Sequence, residues 1–140
     1  MDELSVVLYG FASGIPYLLS HFFLACFILI IGLGIHNKTT RLDEFLLIRK
    51  GNLTACISVG GTLVSLALPL SSSLSASLSI TAILIWGFTA IILQLLCERI
   101  ASIFIGNIEK AINEEIISPV LTLTCCKISV ALLNAAVISG

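Results

Sequence analysis

Four long apolar runs, separated by segments that hold nearly all the charge, constrain this chain more than any other feature. A helix that crosses about 30 Å of hydrocarbon needs about 20 mostly apolar residues. Val6 to Ile35, Leu53 to Leu70, Ile80 to Leu96 and Ile117 to Ile138 come close to that length or exceed it. With 140 residues, 58% hydrophobic and 11% charged, the chain has more apolar surface than a soluble domain of this size can bury. The expected fold is an all-α membrane protein, a single domain of four transmembrane helices. The first run is long enough to tilt, or to break near Gly14 and Pro16 into a short outer piece. The third can slide toward Ile105, which draws Glu98 and Arg99 into the membrane. The N-terminus opens on Asp2 and Glu3 rather than on a basic region, so the first run is expected to stay in the mature protein.

Orientation follows from the basic residues. Lys38, Arg41, Arg49 and Lys50 lie between the first two spans, and Arg99 and Lys110 between the last two. These six of the seven lysines and arginines put both charged connections on one side, expected to be the cytoplasm, and both termini outside. In the first connection Leu42, Phe45, Leu46 and Ile48 alternate with charges before Gly51, a spacing suited to a short interfacial helix. The stretch PLSSSLSASLS is uncharged, and Pro69 is expected to end the second span there and start a tight outer hairpin.

An offset of 64 residues aligns Val64 to Leu68 with Ile128 to Leu132 and sets Thr54 against Ser118. Two repeated helical hairpins, 1–70 and 71–140, agree with the parallel orientation expected of the two halves.

Helices in lipid associate through close packing and hydrogen bonds, so stripes of small and polar residues mark contact faces. The stripes are Gly10, Gly14, His21, Ala25 and Gly32; Ser58, Gly61, Thr62 and Ser65; Gly87, Ala90, Gln94 and Glu98; and Thr124, Lys127, Ala131 and Asn134. Lys127 stands out. It lies ten residues from the start of its run and eleven from the end, about 15 to 16 Å at 1.5 Å per residue, further than a lysine stem can snorkel. It therefore needs an internal partner. With Glu98 near the end of its span, the candidates are Thr124 and Asn134 on its own face, His21 or Gln94 from neighbours, backbone carbonyls, or water.

Chemistry-bearing motifs are sparse. The chain has no GxSxG, HExxH, phosphate-binding loop or basic and aromatic nucleic-acid patch, and no enzyme, cofactor or nucleic-acid partner is expected. Five cysteines, Cys26, Cys56, Cys97, Cys125 and Cys126, lie in apolar runs without CxxC spacing and read as small hydrophobes. His21 and His36 sit at opposite ends of one span and cannot share a metal, so no metal site is expected.

The stretch DEFLLIRKGNLTACISVGGTLVSLALPLSSS, followed by WGFTAIILQLLCERI and LLNAAVIS, resembles the YjfL-like family of small bacterial inner-membrane proteins, whose function is unknown. The motif positions here are Asp43 or Glu44 with Asn52, Gly60 and Gly61 with Pro69, Trp86 with Gly87 and Gln94, and Asn134 with Ala135 and Ala136. The resemblance implies four spans in a bacterial cytoplasmic membrane and adds no reaction. Lys127 stands where the resemblance implies a small residue, and Ile116 to Pro119 replace a second Asn-type opening of the fourth span. Two functions follow as expectations. One is a non-enzymatic bundle, in contact with membrane lipid, that packs with copies of itself or a membrane partner in envelope maintenance. The other is a small channel or transporter subunit with a polar path through His21, Gln94, Lys127 and Asn134.

Overall fold

The computed structural model describes residues 3–76 and 79–140, folded as six helices: α1 (Glu3–Thr39), α2 (Glu44–Arg49), α3 (Leu53–Ala76), α4 (Ile80–Ile105), α5 (Ile108–Asn113) and α6 (Ile117–Ser139). Four of them, α1, α3, α4 and α6, are long and apolar enough to cross a membrane. Side-chain placement inverts the order of a soluble protein. All seven phenylalanines are at least 44% exposed, whereas Ser65, Thr54 and Ala131 are wholly buried. An exterior of phenylalanine, leucine and isoleucine, around a core in which small and hydroxyl side chains are buried beside Leu66, Ile83 and Ile112, suits a bundle solvated by lipid.

The spans are longer than the apolar runs. α1 continues unbroken through Gly14 and Pro16 for 37 residues, about 55 Å at 1.5 Å per residue, so it must tilt or protrude rather than break. α3 likewise continues past Pro69 to Ala76. Proline has no N–H to offer the carbonyl one turn back, that of Ser65, and Gln94 Nε2 of α4 lies 3.5 Å from that oxygen. A neighbouring helix thus takes over the released acceptor, and the proline does not end the helix. Ser77 and Leu78 of the expected outer hairpin lie outside the described residues.

Residues 64 apart adopt the same connector. Asp43 caps α2 through Oδ1, which accepts from Leu46 N at 3.1 Å; Asn107 caps α5 through Oδ1, which accepts from Lys110 N at 2.9 Å. Each six-residue helix then closes through a residue with positive φ, Gly51 at 89° and Glu115 at 56°, and the next span begins two residues later. The matching turn bonds run from Gly51 N to the Ile48 carbonyl and from Glu115 N to the Ile112 carbonyl. One difference separates the copies. Asn52 caps α3 by accepting from Ala55 N at 2.8 Å, while Ile116 offers α6 no side-chain cap.

The second spans of the two halves, α3 and α6, make the central contact. A Cβ added at Gly61 would collide with Thr124, so only glycine lets the two backbones approach this closely. Its neighbour Gly60 faces open space. The connectors are locked together at one end of the bundle, where Asn52 Nδ2 donates to the Ile112 carbonyl at 2.8 Å and the Thr54 hydroxyl lies 3.1 Å from the same oxygen. On α1 the buried stripe runs His21, Ala25, Ile28, Gly32, His36, at spacings of three or four. Gly10 and Gly14, expected on the same contact face, instead have nothing within reach of an added Cβ.

Candidate functional site

Extending α4 to Ile105 leaves Glu98 seven residues from its end, about 10 Å along the axis. There it meets Lys127. The lysine Nζ donates to Glu98 Oε2 at 3.2 Å and to the Thr62 hydroxyl of α3 at 2.7 Å. Lys127 is 3% exposed and Glu98 8%, so the pair is held away from bulk solvent. The expectation that Lys127 would depend on Thr124 or Asn134, on His21 or Gln94, on backbone carbonyls or on water is corrected: its Nζ pairs with Glu98 and Thr62. The physical reason is helix length: about two and a half further turns, from Cys97 to Ile105, keep Glu98 inside the bundle.

The same carboxylate oxygen has a second partner, since His36 Nδ1 on α1 lies 2.9 Å from Glu98 Oε2. On the far side of the imidazole, Nε2 stands 3.6 Å from Glu44 Oε1, at the first position of α2. Glu44 is completely buried, yet neither of its oxygens has a hydrogen-bond partner, nor does His36 Nε2. Glu44, His36, Glu98, Lys127 and Thr62 thus form one buried string that draws on five of the six helices. With both carboxylates and the amine ionised and the imidazole neutral, the string carries a net charge of −1, and a single added proton makes it neutral.

Gln94 backs the string. Its Nε2 lies 3.3 Å from the Lys127 carbonyl, and its Oε1 is buried without a partner. Next to it is a cavity of about 10 Å³, lined by Gln94, Thr62, Glu98, Lys127, His36 and apolar neighbours. That is about the volume one water molecule requires. A larger cleft of about 490 Å³ opens at the connector end of the bundle, between Thr39 to Arg41 and Arg99 to Glu109. Glu98 lines both spaces.

Of the other anticipated positions, Thr124 lies against α3, its hydroxyl 3.4 Å from the Ile57 carbonyl. His21 is 15 residues from His36 on α1, about 22 Å, and its Nδ1 lies 2.7 Å from the Tyr17 carbonyl of its own helix. The Asn134 amide nitrogen is buried without a hydrogen-bond partner, two turns beyond Lys127. The structure therefore brings together Gln94, Glu98 and Lys127, and leaves His21 and Asn134 apart from them. Among the motif positions, Glu44 belongs to the string, and Asn52, Gly61 and Pro69 shape α3. Gly87 packs closely, an added Cβ there being 3.0 Å from Ile28, and Trp86 is 37% exposed beside it. His36 is the member that sequence reasoning passed over. The available signal was its i, i+4 spacing from Gly32, which continues the buried stripe past the end of the apolar run.

Fold and site together define a small four-span integral membrane protein with a chain of ionisable groups inside its bundle. More particularly, the family model described as Domain of Unknown Function (DUF350) matches residues 10–138, and the chain belongs to that family. It is 34% identical over 95 residues to the UPF0719 inner membrane protein YjfL of Escherichia coli (strain K12), covering 67% of this chain and 72% of the relative. The protein of the same description from Escherichia coli O157:H7 matches with the same identity and coverage. No solved structure matches.

Proposed function

We propose that this protein is a non-enzymatic component of a bacterial inner membrane that takes up and releases protons through its Glu98–Lys127 pair. The placement in the inner membrane is supported by its relatives, which are named as inner membrane proteins, and both termini outside the cytoplasm by the basic connectors. One observation carries the proton reading: Glu98 lines the cleft at the connector end and also holds Lys127 in the interior. A proton that reaches the cleft in water can settle on the Glu98 carboxylate, which weakens its hold on the ammonium and leaves Lys127 bonded to Thr62. His36 and Glu44 offer further sites on the same string, and intramembrane ionisable groups of this kind commonly serve as relays. Beyond Lys127, buried polar groups continue at Ser65, Ser73 and Asn134.

The test is proton flux in liposomes that contain the purified protein and an internal pH-sensitive dye, driven by a clamped potassium gradient. Wild type is expected to conduct, and Glu98→Gln and Lys127→Leu to lose most of the flux. A silent wild type overturns the reading. A second reading, a bundle that packs with copies of itself or a membrane partner, is supported by the unoccupied surroundings of Gly10 and Gly14 on the exposed outer half of α1.

A further inference from the structure

The cleft at the connector end has a chemistry of its own. Arg41, just past the end of α1, and Arg99, in the penultimate turns of α4, both line it, and neither guanidinium forms an ion pair among the described residues. The acidic residues of the same wall do not cancel them. Glu98 is engaged by Lys127 and His36, which leaves the half-buried Glu109 against two free cations. Asn107 adds an amide whose oxygen is taken up by the Lys110 N–H, so that its NH2 group remains as a donor. The outer wall is apolar, with Ile103 78% exposed, and Phe104 beside it is 85% exposed. The cleft thus joins cationic donors to a lipid-facing rim at the end of a membrane span, and about 490 Å³ is within the range of small-ligand sites.

We infer that this cleft binds the phosphate of an anionic phospholipid, held by Arg41 and Arg99, with an acyl chain lying along Ile103. Guanidinium groups match phosphate oxygens in paired hydrogen bonds, and the apolar rim suits a headgroup that carries a chain rather than a free anion. The site stands on the cleft's own residues and holds whether or not the Glu98–Lys127 pair conducts protons.

Native mass spectrometry of the purified full chain in detergent, titrated with phosphatidylglycerol or phosphatidylcholine, tests this directly. One phosphatidylglycerol is expected to be retained at least tenfold more strongly than phosphatidylcholine, whose choline cation offsets the charge of the same phosphate and repels the two guanidinium groups. In Arg41→Gln/Arg99→Gln that preference should fall close to parity, while Arg49→Gln/Lys50→Gln, with the same change in charge elsewhere in the connector, keeps it. If the first variant does not fold, Arg41→Lys/Arg99→Lys retains the charge without the paired geometry and is expected to lose severalfold. Parity in wild type, or an equal loss in the Arg49/Lys50 control, overturns the proposal. Displacement of the lipid by millimolar inorganic phosphate would reassign the site to a soluble anion and overturn the lipid assignment.

Discussion

Lys127 of α6 and Glu98 of α4 are 3.2 Å apart inside a bundle whose surface is built for lipid. Removing one partner strands the other's charge, at a cost of about 3–5 kcal/mol for a buried pair. Lys127→Ala and Glu98→Ala are each expected to destabilise by an amount of that order. The joint replacement Lys127→Met/Glu98→Leu should cost less than either single change, because matched apolar side chains need no compensation. Reversible unfolding in mixed micelles, read as a double-mutant cycle, checks this, and additive losses would show that the two groups are not coupled.

The two adjacent glycines of α3 should respond with opposite signs. Gly61→Ala drives a methyl group into Thr124 and is expected to cost about 1–3 kcal/mol, the usual range for overpacking. Gly60→Ala meets open space and should stabilise by about 0.5–1 kcal/mol through helix propensity alone. Adding Thr124→Ala to the Gly61 variant should restore most of the loss. Equal effects at both positions would mean that α3 and α6 do not meet as described.

Gln94 and Pro69 should be coupled although they lie on different helices. Gln94→Leu leaves the Ser65 carbonyl without a donor, a loss of about 1–3 kcal/mol for an unsatisfied buried group. In a Pro69→Ala background the helix regains its own N–H at that point, and the same Gln94→Leu change should cost clearly less. Thermal unfolding of the four proteins in one detergent gives the comparison.

Asn52→Ala removes both the cap of α3 and the clamp to the second connector, and should destabilise by about 1–2 kcal/mol. Asn52→Asp keeps the acceptor for Ala55 N but loses the donor to the Ile112 carbonyl, so it should fall between Ala and wild type. Amide exchange of Ala55 would separate the two contributions, since it should quicken in the Ala variant and stay protected in the Asp variant.

Orientation is open to cysteine labelling in a background without the five native thiols. Lys50→Cys is expected to react with a membrane-impermeant maleimide only after the cells are opened, and Ser75→Cys in intact spheroplasts. The reverse pattern would place the connectors outside.

The four spans were legible because hydrocarbon thickness sets the length of an apolar run. Where helices end was less so. The unbroken apolar run stops at Leu96, but beyond Glu98 and Arg99 it resumes with Ile100, Ile103, Phe104 and Ile105, and α4 continues over all of them, which places Glu98 inside the bundle as the partner of Lys127. Pro69 misled for a related reason: its defect is repaired by Gln94 from another helix, a tertiary effect with no local signal. His36 sits past the apolar run, where it reads as a basic residue closing a helix, and only the packing of α2 and α4 around it discloses the carboxylates on both sides.

The connector repeats at an offset of 64, but the charges around it do not. The positions equivalent to Glu44, His36, Glu98 and Lys127 are Ile108, Ile100, Gly34 and Leu63. Two identical hairpins joined in this way would hold every ionisable group twice or not at all. The string holds one lysine, one histidine and two glutamates, drawn from α1, α2, α4 and α6, and none of them has an ionisable counterpart at the offset of 64. The buried charge thus gives the bundle an asymmetry that its two matching connectors do not have.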